Sequence, residues 1–89
     1  MKAVITVVGH DSCGIIAKVS TACASAGANI IDISQSVLDD YFAMIMIVDT
    51  KGLNMAFTDF VDAMVKLGKE NALDIRAMHE DIFNSMYKI

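Results

Sequence analysis

The sequence has no proline and no low-complexity run, only two cysteines, Cys13 and Cys23, and a single arginine, Arg76. Without proline-rich or polar repeats there is no evident linker, and 89 residues are enough for one domain rather than two. Two cysteines cannot build a disulfide framework, and these two lack the CxxC spacing of a structural zinc site. No apolar run approaches the roughly 18 residues that a membrane span needs. The run at residues 3–8 is too short for the core of a secretory signal. Basic residues are also scarce: seven Lys and Arg against eleven Asp and Glu leave a net charge of −4, the wrong sign for gripping nucleic acid or anionic lipid. With seven methionines and no targeting segment, the composition fits a reducing cytoplasm.

Apolar residues, by contrast, are abundant. They make up 55% of the chain, against the usual 45–50% or so. A chain this short buries only about 60–65% of its unfolded surface. The excess points to burial against another copy of the chain.

The pattern along the chain alternates between two periods. Residues 3–8 are β-branched and apolar on both faces, with Thr6 the one polar exception, which predicts a central strand ending at Gly9. Ile15, Ile16, Val19, Ala22, Cys23 and Ala26 recur at helical spacing, with Asp11 or Ser12 as cap and Gly27 as stop. Residues 29–37 predict a one-sided edge strand, with Ile31, Ile33, Gln35 and Val37 on one face and Ile30, Asp32, Ser34 and Ser36 on the other. Residues 41–48 are again apolar on both faces. Phe57, Phe60, Val61, Met64, Val65 and Gly68 predict a second helix, with Asn54 as its cap, and residues 71–80 a second one-sided strand. In the tail, residues 81–89, Ile82, Phe83, Met86 and Tyr87 share one face; so short a helix is marginal alone and must dock. At this spacing the methionines Met44, Met46, Met55, Met64, Met78 and Met86 read as core fillers. The order βαββαβ, with the two-sided strands first and third, predicts an α+β, ferredoxin-like sandwich. It has a four-stranded antiparallel sheet in order 4-1-3-2, two helices on one face and a short C-terminal helical tail. The other sheet face is left apolar at its centre.

Such a fold says little about function, so the site is argued separately. The polar turn Gly9-His10-Asp11-Ser12-Cys13-Gly14 precedes a helix N-terminus, where backbone N–H groups lack partners and the dipole end is positive. A carboxylate or phosphate suits that end. Asp11 can hold an ammonium, and Gly9 and Gly14 let a ligand or backbone come close. On the plainer reading Asp11 only caps and Gly14 only packs.

The pattern Gly-x-Asp-x-x-Gly-Ile-Ile-Ala at residues 9–17, followed by Ala26-Gly27-Ala28-Asn29-Ile30, resembles the ACT domain family. It is closest to the ACT domains of glycine-cleavage regulators and formyltetrahydrofolate deformylases and to small stand-alone bacterial ACT proteins. The resemblance covers the chain as a single ACT-like domain, with its core at about residues 2–80 and the tail at 81–89. It implies a regulatory domain that binds an amino acid or related small metabolite at an interface between domains. The ligand positions it implies are His10, Asp11, Ser12, Cys13 and Gly14, completed by Asn29 and Ile30 of a neighbouring domain. Family members pair edge to edge or stack sheet on sheet, so a homodimer or higher homo-oligomer is expected.

The sharper chemistries fit less well. His10, Asp11 and Cys13 have no second cluster to complete a metal site. Asp11 is adjacent to His10 rather than opposed to it, which does not make a nucleophilic triad with Cys13. Acylphosphatases of similar topology need an arginine in the first turn, RNA-recognition modules need aromatics on strands one and three above a basic surface, where strand one here has none, and metal chaperones need CxxC. The expectation is therefore a cytoplasmic, non-enzymatic sensor with no metal, cofactor, nucleic acid or membrane partner. The alternative is a ligand-free adaptor that docks on a protein partner through its sheet face and tail.

Overall fold

The computed structural model describes residues 1–10 and 14–87. In chain order the elements are β1 (Lys2–Gly9), α1 (Ile15–Ala26), β2 (Asn29–Leu38), β3 (Tyr41–Asp49), α2 (Phe57–Glu70), β4 (Asp74–His79) and α3 (Glu80–Met86). The strands form one antiparallel sheet in the order β2-β3-β1-β4, which is 4-1-3-2 read from the other edge. The two-sided strands β1 and β3 lie at its centre, as their patterning requires.

The core fills the space between this sheet and the two long helices. Ala3, Ile5 and Val7 of β1 and Phe42, Met44, Met46 and Val48 of β3 point into it, to meet Val19 and Cys23 of α1 and Phe60 and Met64 of α2. Met44, Met46 and Met64 are core fillers, as expected, whereas Met55 and Met86 are exposed.

Two turns close differently from expectation. The residue preceding α1 is Gly14, in the left-handed region at φ 72°, where a cap from Asp11 or Ser12 is expected; those two residues lie outside the described ones. The helix ends, as predicted, at Gly27 (φ 81°), where a side chain would run into the Gly52 carbonyl. Asn54 does not cap α2, whose N-cap is Ala56 without a side-chain bond. Instead its N–H donates to the Ala26 carbonyl (2.9 Å) and its side-chain amide to the Ser25 carbonyl (2.8 Å). The last carbonyls of α1 have no partners within their own helix, and this loop supplies them.

A bulge changes the faces of β2. Ile30 lies opposite Val48, but the next pair is Asp32 with Ile47, so Ile31 is the extra residue. Ile30 therefore shares the helix-side face with Ile33, Gln35 and Val37, and not, as strict alternation predicts, with Asp32, Ser34 and Ser36.

The tail docks on its own sheet. α3 packs against β1 and β4, on the face away from α1 and α2, and Val4 beneath it is buried. Of the four apolar residues assigned to one docking face only Phe83 is half-buried; Ile82, Met86 and Tyr87 remain exposed. No helix among the described residues is long and apolar enough to cross a membrane.

Gly68 fixes how α2 sits on β4. A Cβ there would lie 2.6 Å from the Leu73 carbonyl oxygen, and the Gly68 carbonyl accepts from Leu73 N–H (2.8 Å). Helix propensity alone makes Gly→Ala stabilising by about 1 kcal/mol. Here Gly68→Ala should instead destabilise by about 1–3 kcal/mol, because the helix must lift from the strand. Urea unfolding of the variant gives the sign directly.

Candidate functional site

The turn between β1 and α1 lies at the end of the sheet where Gly9 pairs with Phe42. Of its residues, His10 and Gly14 are described; Asp11, Ser12 and Cys13 lie outside the described residues. The first intrahelical bond of α1 runs from Lys18 N–H to the Gly14 carbonyl (3.0 Å). The N–H groups of Ile15, Ile16 and Ala17 are thus left without helical partners, and the first turn carries no acidic side chain to compete for them. Among the described residues no side chain accepts from these donors, an arrangement that suits a carboxylate, and the helix dipole adds to their pull.

The two glycines of the turn have different reasons to be glycine. Gly14 has a left-handed backbone, and no atom of the described residues lies within 4 Å of where a side chain would begin. Packing against the described residues therefore does not account for the glycine at position 14. Gly9 is buried, and the space over it is taken by the Leu73 side chain, so it makes room for the core and not for a ligand.

His10 is exposed, and its ring packs on Tyr41, with centroids 4.8 Å apart and planes at 40°. Tyr41 did not emerge from the sequence as a site residue. Its signal is the β1–β3 register: Gly9 faces Phe42, so the next step brings residue 10 to residue 41. A groove of about 390 Å³ opens on the helix side of the same end. It is lined by Ile16 of α1, Gln35, Ser36 and Val37 of β2, and Phe42. Gln35 gives the one advance sign of it, a polar residue on the otherwise apolar helix-side face of β2.

Asn29 and Ile30 are not part of this cluster in one chain. Asn29 pairs with Asp49 at the opposite end of β3 from Phe42, which at about 3.4 Å per residue puts it roughly 24 Å from the turn. No small molecule touches both within a single copy. β2 is also the bare edge of the sheet: Val37 is 67% exposed, and Ile31, Ile33 and Leu38 are exposed with it.

The remaining candidates lie elsewhere. His79 sits opposite Ala3, at the far end from His10, and its Nδ1 accepts from Asp81 N–H at the start of α3 (3.3 Å). Among the described residues there is no group of three or more His, Cys, Asp or Glu placed to hold a metal ion. Cys23 is buried in the core, and burial pushes its thiol up to about 11.

The ACT domain family model matches residues 2–78. Over its whole length the chain is 44% identical to the whole of a UPF0237 protein of Clostridium perfringens. An ACT domain protein from Streptococcus pneumoniae is 42% identical and superposes with a TM-score of 0.83, covering 93% of each chain. A formyltetrahydrofolate deformylase from Pseudomonas syringae is 25% identical with a TM-score of 0.78; the match covers 88% of this chain and 27% of that one.

The Cys23 thiol makes an alkaline prediction. Its folded pKa of about 11 lies above the ordinary 9.0, so the two states hold the same proton below pH 9 and only the unfolded state gains by ionising above it. Stability should therefore be unaffected by this group up to about pH 9 and fall between about pH 9 and 11. Cys23→Ala should remove that part of the slope in denaturant titrations across this range.

Proposed function

This chain belongs to the ACT domain family, whose members are generally small-molecule-binding regulatory domains, and on that premise we propose that it senses an amino acid at sites shared between two copies. One observation carries the reading: the two halves of the expected site lie at opposite ends of a bare edge strand. Antiparallel pairing of β2 with itself over residues 29–38 sets residue 29 against residue 38 and residue 30 against residue 37. Asn29 and Ile30 of the second copy then arrive at the end that carries His10 and Gly14, and each pair of copies gains two complete sites.

The chemistry divides along the turn. The free N–H groups of α1 take the ligand carboxylate. Asp11, or the carbonyls of the turn with Ser12 and Cys13, takes the ammonium. The groove beside Ile16 and Val37 receives the side chain, and Asn29 and Ile30 of the second copy close it. Because the ligand binds the paired state, it stabilises that state by mass action, and pairing becomes the signal that a regulated protein reads. Nothing in this scheme requires catalysis, and it suits a cytoplasmic protein.

The test is complementation in trans. A thermal-shift screen of the twenty amino acids first finds the one that stabilises the wild type. Asp11→Ala and Asn29→Ala should each lose that response while keeping the fold. Mixed and allowed to exchange, the two inactive variants should recover about a quarter of the wild-type sites: half the pairs are mixed, and one of their two sites has both partners intact. No recovery on mixing, with exchange of copies verified, would sink the shared-site reading.

A further inference from the structure

Gln35 is the one hydrogen-bonding side chain on the helix-side face of β2, where it stands between Ile33 and Val37. It lines the groove of about 390 Å³ at the start of α1, with Ile16, Val37 and the buried Phe42 as the apolar walls. Ser36 borders the groove too, but strand alternation turns its side chain to the opposite face. No charged residue lines the groove, and Asp32, the one charge on β2, also lies on the opposite face. An amide among apolar walls is the kind of group that orients and selects a ligand.

Resting on the shared-site reading above, we propose that Gln35 sets the specificity of the site. The ligand is an amino acid whose side chain is uncharged and ends in a hydrogen-bonding group, an amide or a hydroxyl.

The bulge decides what surrounds Gln35 once two copies pair. Ile31 is the extra residue, so the pairing of 30 with 37 continues inward as 32 with 36, 33 with 35, and 34 with itself. The two-fold axis then passes through Ser34, and residues set against each other share a face, as strand pairing requires. On the helix side, Ile30 and Ile33 of the second copy come to lie beside Val37 and Gln35. The groove is open at the sheet edge in one copy. In the pair, two more apolar side chains close that edge, and Gln35 loses its access to water.

An enclosed amide without a partner is costly, so the ligand must supply one. Ile16 belongs both to the free N–H groups that take the carboxylate and to the groove wall. A ligand held by its carboxylate there projects its side chain toward Gln35. An amide or hydroxyl can meet the Gln35 carbonyl as a donor or its NH2 as an acceptor. An apolar side chain of the same shape leaves both unpaired. A charged one gives up its water and finds no counter-ion among the lining residues.

Calorimetric titration with shape-matched amino acids tests this: threonine against valine, asparagine against aspartate and leucine, and glutamine against glutamate and methionine. In the wild type the uncharged polar member of its set should bind at least about tenfold more tightly than its apolar and acidic counterparts. Gln35→Met keeps the length of the side chain at an exposed position, and its thermal unfolding transition checks the fold. This variant should lose that preference and bind the apolar counterpart at least as well as the polar one. Ser36→Ala, next along the strand but on the other face, should keep the wild-type preference. A wild type that prefers an apolar or charged amino acid overturns the assignment of Gln35. So does a Gln35→Met variant that weakens every amino acid by the same factor, which is what a merely structural role predicts. Either result leaves the shared site standing if the mixed variants still recover binding. Binding of no amino acid at all sinks the amino-acid reading, and the assignment of Gln35 falls with it.

Discussion

The register of β1 against β3, from Lys2 opposite Asp49 to Gly9 opposite Phe42, fixes more of this molecule than any other single arrangement. Both strands are apolar on both faces, so a slip of one residue would not be opposed by exposed hydrophobic side chains as it is in a one-sided strand. The slip is opposed instead by shape. Ala3, Ile5 and Val7 must meet Val48, Met46 and Met44 under the helices, while Gly9 must come under Leu73, where any side chain would collide. Once that ladder is set, the turn, the His10–Tyr41 contact and the start of α1 have their positions.

Much of this was readable from the residues, because hydrophobic period is a local signal. The strands, the two long helices and the stop at Gly27 follow from spacing, and the strand order follows from which strands are apolar on both faces. What was not readable depends on contacts between segments distant in sequence. Asn54 has the chemistry of a cap, but the helix end it serves is set by how the loop after β3 returns to α1. The bulge at Ile31 leaves no mark in composition; it places Ile30 and Ile33 on the same face, which strict alternation cannot do. Tyr41 carries no motif, and only the register shows that it reaches His10. Of the site itself, His10, Gly14, Asn29 and Ile30 are described, in two groups, and their separation across the sheet is the feature that a one-chain reading of the motif could not supply.

The division of labour within the chain is clear in energetic terms. The helix side of the sheet holds the core, where burial of each large apolar side chain is worth about 1.5–3 kcal/mol. The edge and the outer face contribute little to that core and carry most of the apolar surface that remains exposed. A small domain can thus keep its fold while its association responds to a ligand, because different residues serve the two purposes.

The bare β2 edge has a consequence for the life of a newly made chain. Ten residues long, with no proline and with Asp32 as its one charge, it has unpaired backbone groups and exposed apolar side chains along its length. Such an edge accepts any extended strand, and open-ended stacking of strands is the route to fibrils. The bulge at Ile31 is the feature that breaks its regularity and bends it away from a flat template. On the proposed pairing, a partner copy on that edge would also act as a cap against polymerisation, and the interval between synthesis and pairing would be when the chain is most exposed to aggregation.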